Sequence, residues 1–235
     1  MKFVNISGSC SGTTPGLRWV SLEDGRVGVL KRDTDHGHDY DRELCSGFVF
    51  ECFGMKASRC VQIDADSFVS LQSYNKRFRK IKSAEITELH CLEEYKKLLP
   101  AHVWDQVATI AFVDAVCGQT DRHAGNLDFL VNDAGSIVAV CPPFDNVNSF
   151  GKWDGDECLL APDTAKIWYA DTVCNWLSAN WCNFEKHWSY YCSDEFIEDC
   201  KSLKFIEFIK SRRNWLMQAV RAPSGSGCFD AMKLD

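Results

Sequence analysis

One predicted helix constrains the fold of this 235-residue chain more than any other segment. Residues 101–117 carry apolar side chains on nearly every side, and Val103, Val107, Ile110 and Asp114 recur at helical spacing. A helix that is apolar all round must be buried, so this one predicts a sizeable core around it. It is too short to cross a membrane, and its apolar run contains Asp114.

Strand patterns dominate the sequence that precedes this helix. Three short strands, a helix and one or two further strands are predicted in turn, at 3–6, 17–22, 26–31, 39–53 and 61–74. The Glu-Asp-Gly sequence after Leu22 is typical of a hairpin turn. In the predicted helix, Leu44, Phe48 and Cys52 share one apolar face.

Helical patterns dominate the remainder of the chain. The predicted elements are a polar helix at 84–98, a hairpin at 127–140, aromatic-rich helical sequence beyond 170 and a helix at 203–220. A strand-rich part followed by a helical part predicts an α+β fold with two lobes and a cleft between them. We place the β-rich N-lobe at 1–75 and the helical C-lobe at 76–235.

Composition narrows the classes of function. The chain has 26 Lys and Arg against 33 Asp and Glu, a net charge of −7, so we expect no direct nucleic-acid binding. The basic run Lys76–Lys82 is interpreted as a solvated patch. The 13 cysteines are odd in number, contain no Cys-x-x-Cys pair and follow no export signal, which predicts reduced thiols in the cytoplasm. No membrane association is expected.

A carboxylate and an amide lie close together in the polar loop after the buried helix. They are Asp121 and Asn126, and Asp145 follows beyond the hairpin in the sequence PPFDN. In phosphoryl transfer, one carboxylate orients or deprotonates a hydroxyl, while an amide oxygen and a second carboxylate bind Mg²⁺. Taken singly, Asp121 and Asp145 are better interpreted as capping or turn residues. Only their combination with N-terminal features favours phosphoryl transfer.

The first N-terminal feature is the segment SGSCSGTTPG at 7–16. Its glycines allow backbone N–H groups to approach a phosphate closely, which makes Gly8, Ser9, Ser11 and Gly12 candidate nucleotide contacts. No Walker A sequence is present. A flexible hairpin is the alternative interpretation.

The second feature is the strand that contains Val29 and Lys31. These residues point to one face, so the valine can pack on adenine while the amine reaches the phosphates. A lysine in solvent at a strand end is the alternative. Glu43 is the first candidate to orient the amine of Lys31, and Asp39 and Asp41 compete with it.

These motifs together resemble the HipA-like serine/threonine kinase family. The match covers residues 5–150 in order and spacing and is specific in motif at 118–150. It is carried by Asp121, Arg122, His123 and Asn126 in a DRHxxN loop, and by Pro142, Phe144, Asp145 and Asn146 in a P-x-[FY]-D-N setting. Phosphatidylinositol kinases have a similar DRHxxN loop, so that loop does not define the substrate.

Three roles are open for Arg122: it neutralises Asp121, contacts a phosphate or forms a structural ion pair.

The resemblance implies a protein-kinase-like fold and phosphorylation, dependent on ATP and Mg²⁺, of a serine or threonine in a protein substrate. It makes Asp121 the catalytic base, Asn126 and Asp145 catalytic residues that bind Mg²⁺, and Lys31 the amine that holds the ATP phosphates. It also implies a toxin-like role, with an antitoxin or regulatory protein as a partner.

The family's Gly-rich loop, its N-terminal subdomain and its sequence after the metal aspartate can each be compared with this chain. Its Gly-rich loop covers the nucleotide and can be autophosphorylated, so Ser9 and Ser11 are candidate sites. Its full-length members have a further N-terminal subdomain, so this chain is expected to be a short, kinase-core-only member. After Asn146 the sequence Val-Asn-Ser-Phe departs from the family's Gly and then Ser-Leu.

Two rival functions are an inactive nucleotide-binding pseudokinase and a small-molecule or lipid kinase on the same core.

Overall fold

The computed structural model describes residues 3–9, 17–35, 38–71, 79–82, 96–119, 122, 126–150, 180 and 184–219. The strands within these ranges are β1 Phe3–Ser9, β2 Arg18–Leu22, β3 Val27–Arg32, β4 Cys60–Asp64, β5 Ser67–Leu71, β6 Arg79–Lys82, β7 Asp128–Val131 and β8 Ile137–Val140. The helices are α1 His38–Cys52, α2 Ala101–Cys117, α3 Asp194–Cys200 and α4 Ile206–Ala219, and residues 184–192 are also helical.

The N-terminal strands form an antiparallel five-stranded sheet in the order β1-β2-β3-β5-β4. The predicted Glu-Asp-Gly turn joins β2 to β3, and Gly25 adopts a φ of 81° there, which residues with a Cβ atom rarely take. One small apolar cluster of the sheet consists of Val20, Leu22, Leu30, Val69 and Leu71. The strand alternation leaves Val29 and Lys31 on the other face, as predicted.

Strand β1 is longer than predicted. Residues 7–9 continue the strand instead of opening the glycine-rich loop, and Ser9 pairs with Arg18 after a shift in register that begins at Asn5. Irregular pairing of this kind accommodates a glycine such as Gly8 within a strand. The rest of the predicted loop, with Ser11 and Gly12, lies outside the described residues.

Helix α1 buries a different face from the predicted one. Leu44 is 44% exposed, while Phe48 and Cys52 are half-buried against the core. The buried side chains of α1 mix polar and apolar types, namely Asp39, Arg42, Glu43, Cys45, Ser46, Val49 and Phe50. The helix predicted at 39–53 is therefore confirmed, and Phe48 and Cys52 of its apolar face contact the core. Leu44 does not, because apolar periodicity does not detect a buried face that carries ionised residues.

Helix α2 is mostly buried, as predicted, although Ala101 and His102 at its start are exposed. Val103, Val107 and Val113 have no exposed surface. The core around α2 includes residues of α1, β7, β8 and the helical stretch 184–192. The described part of the second half of the chain therefore packs around this helix.

The predicted hairpin is present as β7 and β8, which join β6 in an antiparallel three-stranded sheet. Strand β6 comes from the run that was interpreted as a solvated patch. Lys80 is exposed, in agreement with that interpretation, but the strand at 79–82 was not predicted. Lys80 pairs with the buried Asp128 at 2.6 Å, and Ile81 packs against the core. Pairing with β7 and this ion pair give the basic segment a structural role.

Two further predictions concern helices and thiols. Most of the polar helix predicted at 84–98 lies outside the described residues, although 96–98 are helical. The cysteines that the structure describes are all free thiols, in agreement with the expected reduced state. In the part of the chain that the structure describes, no helix combines the length and the apolar character needed to cross a membrane.

Candidate active site

Lys31 bridges two carboxylates that come from distant parts of the chain. Its Nζ donates to Glu43 Oε1 at 2.7 Å and to Asp145 Oδ1 at 2.9 Å. The side chain of Glu43 is 1% exposed, that of Lys31 12% and that of Asp145 38%. The site therefore runs from a buried glutamate, through the lysine, to a carboxylate that solvent reaches.

The charge of Lys31 is set by these neighbours. Burial alone would lower the pKa of its ammonium, because desolvation disfavours the charged form. The carboxylates of Glu43 and Asp145 outweigh burial, and the pKa of Lys31 is raised. Lys31 is consequently a cation at every physiological pH, which suits a group that holds an anion.

The two acids that competed with Glu43 for Lys31 have other partners. Asp39 accepts hydrogen bonds from the backbone N–H of Thr34 at 2.9 Å and from its hydroxyl at 2.7 Å. Asp41 pairs with Lys204 at 2.7 Å. The structure thus brings Glu43, and neither of these acids, to Lys31.

Arg122 is the centre of a second, buried group of polar contacts. Its Nε and Nη2 each donate to the carboxylate of Asp114, at 2.9 Å, in a bidentate pair. Burial alone would lower the pKa of Arg122, but the Asp114 carboxylate outweighs it and the pKa is raised. Of the three roles weighed for Arg122, the structure places it in a structural ion pair, with a partner on α2.

The same guanidinium also holds the backbone on both sides of the site. Arg122 Nη1 donates to the carbonyl oxygen of Asn126 at 3.2 Å and to that of Phe144 at 2.8 Å. Because a single nitrogen binds both carbonyls, Asn126 and the residue that follows Phe144, Asp145, are held beside each other. Asn126 itself is buried.

Asn146 links the two groups of contacts. Its Nδ2 donates to Glu43 Oε2 at 3.2 Å, and its Oδ1 accepts from Arg122 Nη2 at 2.6 Å. The side chain is 1% exposed. Sequence reasoning noted Asn146 as part of a motif but assigned it no role.

The backbone around Asp145 is unusual. Asp145 has a φ of 60°, in the left-handed region where Asp and Asn are enriched among residues with a Cβ atom. Its carbonyl oxygen accepts from Gln119 Nε2 at 3.0 Å. Five residues later Phe150 has a φ of 55°, and its N–H donates to the carbonyl of Cys117. The segment that departs from the family pattern is thus attached to the end of α2.

The remaining predicted site residues are placed as follows. Val29 lies half-buried on β3, on the same face as Lys31. Gly8 and Ser9 lie in β1. Ser11, Gly12 and Asp121 lie outside the described residues. The structure therefore brings together Lys31, Glu43 and Asp145, with Asn126 joined to them through Arg122.

Two residues of the site had a weak signal or none in the sequence. Asp114 is a charged residue within an apolar helix, and a buried charge requires a partner, so it pointed to a nearby cation. Gln119 gives no comparable signal in the sequence, since a single glutamine after a helix is common in loops.

Comparison with known proteins gives a result at the level of structure. No protein-family model matches the chain, and no curated protein is similar to it in sequence. The structure of the proinflammatory kinase CtkA from Helicobacter pylori is similar, with a TM-score of 0.59 and 12% sequence identity. That similarity covers 91% of this chain and 90% of the CtkA chain.

A second similar structure is the toxin–antitoxin complex of HipA, HipB and operator DNA from Shewanella oneidensis MR-1. Its matching chain has a TM-score of 0.51 and 11% identity, and the similarity covers 94% of this chain and 62% of that one. The present chain thus spans less than two thirds of that relative. At these identities the likeness concerns the fold, including its mixture of helix and sheet.

Proposed function

We propose that this chain, which has a HipA-like kinase fold, transfers the γ-phosphoryl group of ATP to a serine or threonine hydroxyl of a protein substrate, with Mg²⁺. The observation that carries the proposal is the position of Lys31 Nζ, within 2.9 Å of Glu43 and Asp145. A buried glutamate that orients a lysine, beside an exposed aspartate, is the set of groups that positions a triphosphate in kinases.

The oxygen donors present fit Mg²⁺. This ion is held in nucleotide sites by one or two carboxylates or similar oxygens, together with phosphate oxygens and water. Asp145 offers a carboxylate that is 38% exposed, and Arg122 holds the amide residue Asn126 beside it. We assign Asn126 and Asp145 as the ligands. The bound ion would supply positive charge against the β- and γ-phosphates.

Each residue of the proposed nucleotide site then has a separate role. Lys31 binds phosphate oxygens as a permanent cation, and Glu43 keeps its amine in place. Val29, on the same face of β3, packs against the adenine. The segment with Gly8, Ser9, Ser11 and Gly12 covers the nucleotide, and its two serines are the candidates for autophosphorylation. These contacts position the nucleotide, which is the larger part of catalysis in phosphoryl transfer.

Asp121 acts on the second substrate. Its carboxylate accepts a hydrogen bond from the attacking hydroxyl and takes the proton as the new O–P bond forms and the bond to the leaving ADP oxygen breaks. Arg122 follows Asp121 in the chain and is held by hydrogen bonds to Asp114 and to the carbonyls of Asn126 and Phe144. These bonds fix the backbone directly after Asp121. The N-lobe and C-lobe would enclose the nucleotide between them.

A protein partner and a cytoplasmic site of action belong to the same proposal. The similar Shewanella structure is a complex of HipA with HipB and DNA, which favours an antitoxin-like or regulatory protein as partner here. The free thiols of the described residues suit a reducing compartment.

The proposal is tested with purified protein, [γ-³²P]ATP and Mg²⁺, and a panel of protein substrates. We expect label on protein, including this chain, and a loss of at least about a hundredfold in Asp121→Asn and Asp145→Asn. Asp133→Asn is the matched control, because Asp133 lies exposed in the β7–β8 turn, and it should label like wild type.

Other outcomes distinguish the rival functions. Stabilisation by ADP and Mg²⁺ with no transfer of label would make the chain a pseudokinase. Label that enters phosphoinositides or small alcohols, but not protein, would make it a lipid or small-molecule kinase. Equal labelling by wild type and both active-site variants would overturn the assignment of Asp121 and Asp145.

A further inference from the structure

Asn146 occupies the junction between the two ion pairs of the site. It bonds to Glu43, which holds Lys31, and to Arg122, which holds Asp114. With 1% of its surface exposed, it has no room for a water molecule to replace either bond from the solvent side.

The two partners fix the direction of the Asn146 amide. A guanidinium only donates hydrogen bonds and a carboxylate only accepts them. The amide oxygen must therefore face Arg122 and the amide nitrogen must face Glu43, as observed at 2.6 Å and 3.2 Å. Aspartate has the same size but offers no donor when ionised, so the position requires an amide.

The bond to Glu43 determines how that carboxylate is turned. Glu43 Oε1 accepts from Lys31, and Oε2 accepts from Asn146. The terminal torsion of glutamate is broad, so a carboxylate with one fixed oxygen turns more freely than one with two. Loss of the second bond would let the lysine amine move away from its position beside Asp145.

We propose that Asn146 is a positioning residue that sets the orientation of Glu43 and, through it, the aim of Lys31 at the nucleotide phosphates. This inference rests on the proposed function. It assigns Asn146 a role in nucleotide affinity in addition to its contribution to the fold.

The test separates the two bonds of Asn146. The substitution Asn146→Asp keeps an acceptor for Arg122 and removes the donor to Glu43, placing two carboxylates against each other. We expect affinity for ADP with Mg²⁺ to fall about tenfold or more, because the lost bond has a charged acceptor. The KM for ATP should rise more than kcat falls. Asn132→Asp, at a remote turn, is the control and should bind like wild type.

Exchanging the two groups provides the rescue. In the double variant Glu43→Gln, Asn146→Asp, the new amide nitrogen can donate to the new carboxylate, so the bond is restored in the opposite direction at constant net charge. We expect the double variant to bind ADP more tightly than either single variant. This comparison also applies if Asn146→Asp alone folds poorly, because Glu43→Gln by itself brings no second carboxylate into the site. Its new amide nitrogen faces a donor on Asn146 or on Lys31, and the double variant removes that mismatch.

Three results would overturn the inference, and they are distinguishable from one another. If wild type binds ADP and Asn146→Asp binds it equally well, Asn146 has only a structural role and the proposed kinase function is untouched. If wild type itself binds neither ADP nor ATP with Mg²⁺, the proposed function fails and this inference fails with it. Additive losses in the double variant would also contradict it.

Discussion

Removal of the Arg122 guanidinium is the substitution that tests the buried part of the site most directly. Arg122→Leu deletes both hydrogen bonds to Asp114, whose side chain is 1% exposed, together with the bonds to two carbonyls and to Asn146. Breaking one partner of a buried pair costs about 3–5 kcal/mol in the free energy of unfolding. With a urea m-value of about 2 kcal/mol/M, a loss of 4 kcal/mol lowers the midpoint by about 2 M.

The assay is urea unfolding followed by tryptophan fluorescence, for which the chain has 8 tryptophans. Arg26→Leu is the control, because the ion pair of Arg26 with Asp24 is exposed, and its midpoint should match that of wild type. The double variant Asp114→Leu, Arg122→Leu removes both charges. It should be more stable than Arg122→Leu alone, because the buried carboxylate that has lost its guanidinium is removed as well.

Two results would refute this reasoning. The first is a midpoint for Arg122→Leu within about 0.5 M of wild type, which is the effect expected of a surface pair. The second is a double variant no more stable than the single one, since the cost would then not come from the buried charge.

Three other predictions concern stability. Gly28→Ala places a Cβ 2.5 Å from the carbonyl oxygen of Ser70, so the free energy of unfolding should fall by about 1–3 kcal/mol, seen as a lower melting temperature. Phe205→Ala removes a ring stacked on Phe150 at 5.3 Å, and its urea midpoint should fall by about 1 M. Burial raises the pKa of Cys45 to about 11, so the thiol ionises first in the unfolded chain. Its contribution to stability should be lost as pH rises from 9 to 11, and a Cys45→Ala variant should show a shallower decline in urea titrations over that range.

The elements with strong local signals were predicted well. The helix at 101–117 and the β2–β3 hairpin follow from apolar spacing and from Gly25 in its turn. Both are decided by residues close together in the chain, so a local pattern is sufficient. The same holds for Val29 and Lys31, whose shared face follows from the period of a strand.

The errors lie where distant partners decide the structure. The face of α1 that carries Glu43 is buried because Lys31 and Asn146 satisfy its carboxylate, and neither partner can be identified from the helix itself. Residues 79–82 form a strand because β7 provides pairing and Asp128 neutralises Lys80. A charged residue is expected to be exposed unless a distant residue neutralises it, and a local sequence pattern does not identify that residue.

Of the four charged residues assigned to the site, the structure describes Lys31, Glu43 and Asp145, and these were easier to predict than the residues that support them. Lys31, Glu43 and Asp145 were chosen for their chemistry, and the structure brings them together. The contacts of Asn146 and Gln119 depend on the return of the chain after β8, which no spacing rule describes. Their residue types are common in loops, so composition gives no reason to select them.

The left-handed backbone at Asp145 limits which side chains that position accepts. Asparagine adopts a φ near the observed 60° readily, whereas most other residues with a Cβ atom incur about 1–2 kcal/mol of strain. Exchange of the carboxylate for an amide therefore removes a charge without disturbing the main chain. Under the proposed function, the single change Asp145→Asn would therefore abolish phosphoryl transfer and leave a chain that still folds.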